Sequence, residues 1–319
     1  MIPRALPTFA AAAVVAAVAA TPAAAAQKDL NLSESFPAAA GKRIVVDAAD
    51  LDVRVRNADV PDIVADVQLH IGGTGADRAE RWIDNHTPAF EDSDDRLHVV
   101  VSPGKDGFLG FGKLSARARL GILAPGSVVP DLTTTSGNID VRGDFPDAQP
   151  LWMRTSSGTL TLVGAAASVD VKSAEGDADI EVIRPLESFA ASTSSGNVRL
   201  VGGARETNVG TASGNIWLEN LSGNLEATTS TGKITVIWDR LDPDGTVRIR
   251  SSSARVHLMI PAGVSPRGTL TTTTGSVRSE LPGEVVSDGG TLQLAGDGPI
   301  FDVETASGEI ILSVRDALD

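Results

Sequence analysis

The sequence predicts an all-β fold: a parallel β-solenoid of roughly nine to ten rungs, with a degenerate N-terminal β segment and one short helix. Three observations carry that expectation. Nine stretches superpose without a gap when Gly137, Gly158, Gly176, Gly196, Gly214, Gly232, Ala254, Gly275 and Gly308 share one column. Three positions earlier every stretch has Ser or Thr, from Thr134 to Thr305, and five positions earlier an apolar residue, from Leu132 to Val303. Most steps run 18 to 22 residues and the last is 33. A fixed period of this size is the mark of a stack in which each unit covers the next.

Residues 1–26 read as a signal peptide. Arg4 supplies a short positive start, Phe9 to Ala20 an apolar run, and Ala23 to Ala26 small residues before a cut at Gln27. The run is too short to span a bilayer, which needs about 20 apolar residues. No later segment is apolar enough to cross a membrane. The expected product is exported, to the periplasm, the cell surface or beyond. The chain has no cysteine, so neither disulfides nor thiolate metal sites are open to it.

Residues 27–115 read as the degenerate β segment. Ile44 and Val46, then Leu51, Val53 and Val55, then Ile63, Val67 and Leu69 alternate as half-buried strands do. Thr74 is placed to cap a helix whose face carries Ala79, Trp82 and Ile83, and which ends near His86 before Pro88. Arg96 to Val101 is a further strand, and Pro103 to Lys113 a glycine- and phenylalanine-rich loop.

Residues 116–319 read as the solenoid domain. Alternation puts the positions seven, five and three before the corner on one face, with those two and four after it. Each corner falls at Ser-Gly or its equivalent, where glycine is expected to take a positive φ. Ala254 breaks that rule, so its corner must be made differently. The hydroxyl column shares the inward parity, and such side chains can bond one another or corner backbone groups. The long last step hides a short rung with Gly290 as its corner and Val285, Ser287, Leu292 and Leu294 at the usual offsets. Arg315 to Leu318 is too short for a capping helix of any strength.

A rung cannot stand alone. It buries about five apolar side chains at about 1.5–3 kcal/mol each. Its backbone loses about 1–2 kcal/mol of entropy per ordered residue. Stacked at about 4.8 Å, the rungs share one continuous core.

The runs Thr135-Ser136-Gly137-Asn138-Ile139, Ser195-Gly196-Asn197-Val198 and Ser213-Gly214-Asn215-Ile216 resemble a bacterial envelope family of β-strand-repeat proteins of unknown function, described as "putative adhesins". Ile122-Leu123-Ala124-Pro125-Gly126 and Met259-Ile260-Pro261-Ala262-Gly263 also look like that family's apolar-Pro-x-Gly turn. The resemblance spans about Ala40 to Val314. It implies an adhesin-like role and supplies no catalytic residue.

A formal net charge of −14 disfavours nucleic acid and other polyanions as partners. The Ser-Gly corners lack the Lys of a phosphate-binding loop and lead into strands. His70, His86, His98 and His257 have no metal-ligand spacing. No cofactor motif is present, and the expectation is a non-enzyme. The competing class is a polysaccharide-acting solenoid using Asp140 and Asp179, two rungs or about 10 Å apart. That lies close to the separation of an inverting glycosidase pair, about 6.5–9.5 Å. The outward column continues as Arg199, Trp217, Thr235, His257 and Arg278. An exposed Trp beside Arg suits contact with an envelope glycan, a protein or a second copy. Arg199, Trp217, His257 and Arg278 are therefore the candidate binding residues.

Overall fold

The computed structural model describes residues 26–101, 115–146, 148, 150–281, 284–286 and 290–315. All but the last residue of the expected signal peptide, the loop at Pro103 to Lys113, and Asp316 to Asp319 lie outside them. Among the described residues the chain is all-β with one helix, and most strands are parallel.

The N-terminal part comprises β1 (Ala26–Pro37), β2 (Arg43–Ala48), β3 (Asp52–Asn57), β4 (Asp62–Thr74), α1 (Ala76–His86), β5 (Ala89–Asp92), β6 (Arg96–Val101) and β7 (Ser115–Ala124). The repeats then give one strand before each corner and one after it. They are β8 (Val129–Thr134) and β9 (Ile139–Phe145), β10 (Leu151–Thr155) and β11 (Leu160–Ala166), β12 (Ser168–Ser173) and β13 (Ala178–Val182). β14 (Leu186–Thr193) with β15 (Val198–Val201), and β16 (Ala204–Thr211) with β17 (Ile216–Leu221), continue the pattern. β18 (Asn224–Trp238) and β19 (Thr246–Pro261) run straight through their corners. β20 (Arg267–Thr272), β21 (Ser276–Ser279), β22 (Glu284–Val286), β23 (Thr291–Ala295), β24 (Ile300–Thr305) and β25 (Glu309–Arg315) complete the chain.

Two ladders result, one before the corners and one after them. The first runs β5, β6, β2, β8, β10, β12, β14, β16, β18, β19, β24, β20, β23, β22. The second runs β1, β4, β7, β3, β9, β11, β13, β15, β17, β18, β19, β25, β21. The pairing crosses residues 115 and 116 without a break, because β2 and β3 stack directly on β8 and β9. The predicted inward columns close into one core. Leu151, Val169, Phe189, Leu225, Val247 and Phe301 are buried, as are Val141, Leu162, Ile180, Leu200, Leu218, Val236, Leu258 and Leu312.

Registry like-on-like holds: Thr155 lies over Ser173, Thr193 over Thr211, Thr211 over Thr229 and Thr229 over Ser251. The hydroxyls do not bond one another. Thr193 Oγ1 accepts from Gly196 N at 3.0 Å, and Thr134, Thr155, Ser173, Ser251 and Thr272 accept likewise from the residue three on. Thr155 and Thr211 also donate to the corner carbonyls of Gly137 and Gly196, at 3.3 and 3.2 Å. The accepting hydroxyls close their own corners, and the donating ones tie one corner to the next.

Four expectations need correcting. The corner glycines are not chosen for positive φ: of the eight, only Gly232 has one, at 130°. A Cβ on Gly158, Gly176, Gly196 or Gly214 would instead run into the carbonyl oxygen of the neighbouring corner glycine. The column is glycine because backbone stacks on backbone. Ala254 is tolerated where β18 and β19 stay extended and pair Gly232 with Ala254.

The stretch around Gly290 is not a rung. β22 and β23 form an antiparallel hairpin against β20, with Val285 opposite Leu292 and Gly290 at φ 78°. Ser287 lies outside the described residues. Thr74 does not cap α1, which starts after Gly75 without a side-chain cap. Finally, the stack does not follow chain order at its ends. The rung β2–β3 sits between β6–β7 and β8–β9, and the last rung, β24–β25, between β19 and β20–β21.

Candidate functional site

The outward column of the second ladder exists, with one insertion. Arg199 lies beside Trp217, Trp217 beside Thr235, and Thr235 beside His257. His257 is then followed by Ile311 and only then by Arg278. The insertion of β25 therefore puts Arg278 two ladder steps from His257, not one. The structure brings Arg199, Trp217 and His257 onto one face and leaves Arg278 at its margin.

Each of the four candidate binding residues has a defined partner. Arg199 bonds Asp179 at 2.7 Å. Trp217 is 38% exposed, and its indole N–H donates to Glu219 at 3.2 Å. His257 Nε2 lies 3.0 Å from Ser313 Oγ. Burial, helped by the Lys233 charge and opposed by Glu280, lowers the His257 pKa, which favours the neutral ring. Arg278 pairs with Glu309 at 3.5 Å. Thr235, between them, faces outward but is only 1% exposed, covered between the larger Trp217 and His257. Its hydroxyl is buried without a partner among the described residues. Ile311 adds half-buried apolar surface to this region, while Ile237 is buried.

The two carboxylates of the competing reading stand two steps apart, with Thr161 between them. Asp140 bonds Arg142 at 2.9 Å and has Arg56 at 3.9 Å, while Asp179 is held by Arg199. Each is therefore paired with a guanidinium. No group of three or more His, Asp or Glu suited to a metal occurs among the described residues.

Sequence reading missed three features. The residue after the corner forms a ladder: Asp52 accepts from Asn138, Asn138 from Thr159, Asp177 from Asn197, and Asn197 from Asn215, all at 2.7–3.1 Å. The repeated Gly-Asn pair was the signal. On the other ladder, Trp152 is flanked by Arg43 and Arg154, 4.8 and 4.7 Å from its ring, and both arginines bond Asp131. Arg43 belongs to β2, so only the stacking order reveals this cluster. A shallow groove of about 290 Å³ opens on the same outer face, lined by Ala190, Glu206, Asn208, Asn224, Glu226 and Arg248. Ala190 is the smallest of its outward side chains.

Residues 41–313 match the family described as Toastrack DUF4097. The chain belongs to the Toastrack family. Solved structures resemble this Toastrack chain at low identity. A "putative adhesin" from Parabacteroides distasonis is 12% identical, with 89% of this chain and 97% of that one covered and a TM-score of 0.41. One of the same description from Bacteroides fragilis has the same identity and coverage and a TM-score of 0.39. A "putative lipid binding protein" from Parabacteroides distasonis is 12% identical over 88% of this chain and 96% of that one, with a TM-score of 0.34. No curated protein matches the chain.

Proposed function

We propose that the chain is an exported, non-enzymatic interaction module of the cell envelope. It binds a glycan or a protein across the outer face of the second ladder, centred on Trp217. The observation that carries this reading is the partly exposed Trp217 ring set beside the covered, unbonded Thr235 hydroxyl and the His257 ring. An aromatic face next to polar groups can stack on a sugar ring or an apolar side chain and hydrogen-bond at its rim. Arg199 and Arg278 frame the face about 24 Å apart, five ladder steps at about 4.8 Å. The stacked corners are the scaffold that holds this face in register. No helix among the described residues is long and apolar enough to cross a membrane.

Screening the purified chain on a glycan array and by pull-down from envelope extracts tests the proposal. Saturable binding that Trp217→Ala reduces at least tenfold, with thermal melting unchanged, is the expected result. Binding indifferent to Trp217→Ala overturns the site. Glycan turnover that Asp179→Asn abolishes overturns the non-enzymatic reading.

A further inference from the structure

We infer that β1 is a self-pairing edge through which two copies of this chain join end to end. β1 is twelve residues long and bonds only β4 among the described residues, so its outer backbone edge carries no partner strand. Such an edge is a template for another strand. Its alternate residues Lys28, Leu30, Leu32, Glu34 and Phe36 lie half-buried on the face that meets the core, and Asn31, Ser33 and Ser35 lie exposed on the other.

The strand is complementary to itself. A two-fold axis at Asn31 sets Leu30 opposite the Leu32 of the second copy and Lys28 opposite its Glu34. Symmetry repeats both pairs, and all four fall on the same face. Moving the axis to Leu30 or Leu32 loses the match, setting Lys28 against Leu32 or Phe36. Opposite charges and apolar pairs directly across an antiparallel pair stabilise it. An isologous contact of this kind closes as a dimer. Lys28 has one carboxylate partner within its own chain, Glu80 of α1 at 3.2 Å, and an ammonium can donate to a second. Glu34 has no ion-pair partner among the described residues. α1 packs beside β1 and β4, so pairing would join the two second ladders into one sheet with both helices on the same side.

This proposal is independent of the Trp217 face, and Trp217→Ala should leave the dimer intact. Sedimentation of the purified chain over a concentration series should show a monomer–dimer equilibrium. Glu34→Lys sets Lys against Lys twice and should weaken dimerisation about tenfold. The exchange Lys28→Glu with Glu34→Lys should restore it. The chain has no cysteine, so Asn31→Cys offers a second readout. Directly opposed residues lie about 4.5–5.5 Å apart at Cα, within disulfide reach. Asn31→Cys should therefore cross-link two chains on oxidation. Ser33→Cys, displaced by four residues or about 13 Å from its copy, should not. A monomer at every concentration overturns the proposal. So does a dimer indifferent to Glu34→Lys, or one in which Ser33→Cys cross-links as readily as Asn31→Cys.

Discussion

Gly196 shows what a single added atom does to a corner. Its Cβ would meet the Gly176 carbonyl oxygen, which belongs to backbone and cannot swing aside. Gly196→Ala should cost about 1–3 kcal/mol as overpacking, and Gly196→Val more. Gly75→Ala is the control, since nothing lies within 4 Å of that site. Denaturant midpoints measure both. The hydroxyls give a sharper contrast. Thr193→Val orphans the Gly196 N–H and should cost about 1–3 kcal/mol. Thr305 is fully buried with no bond to its hydroxyl among the described residues, so Thr305→Val should be close to neutral. Equal costs at the two positions would refute the corner-closing role. The inward columns were legible in the sequence because every rung repeats the same demand. The reason for glycine was not, because positive φ and close backbone approach select the same residue.

Among the elements, β24 and β25 hold the far end of the stack together. β24 bonds β19 on one side and β20 on the other, while β25 bonds β19 and β21. A chain ending at Pro299 removes the only strand pairing that joins β19 to β20–β23 among the described residues. Hydrogen exchange should then show residues 267–295 losing protection while β8 to β17 keep theirs, since each rung depends chiefly on its neighbours. Uniform loss along the chain would refute that independence. The insertion was hidden from sequence reading by the regularity that revealed the repeats. A rung that matches one neighbour matches any, so alternation cannot say which two it lies between. The short β22–β23 hairpin was misread for the same reason: Val285, Leu292 and Leu294 satisfy both period-two patterns.

Taken whole, the molecule is one core without disulfides, built by parallel pairing and tied at its corners. Its architecture was legible because the periodic positions point inward, where packing leaves little choice. The candidate face was only partly so. Arg199, Trp217 and His257 were placed in one column by counting, whereas Ile311 enters that column through a stacking order that counting cannot supply. The Arg43–Trp152–Arg154 cluster and the groove at Ala190 draw on outward residues that no repeat constrains.

The rungs β2–β3 and β24–β25 are each sewn in behind the strands that form the tips, which limits how such a protein can lengthen. A duplicated coil spliced directly before β2 or directly after β25 would find no open berth, because both of these strand pairs are already flanked above and below. Growth must happen in the interior, between β10 and β17, where one more coil slides in and both tips stay as they are.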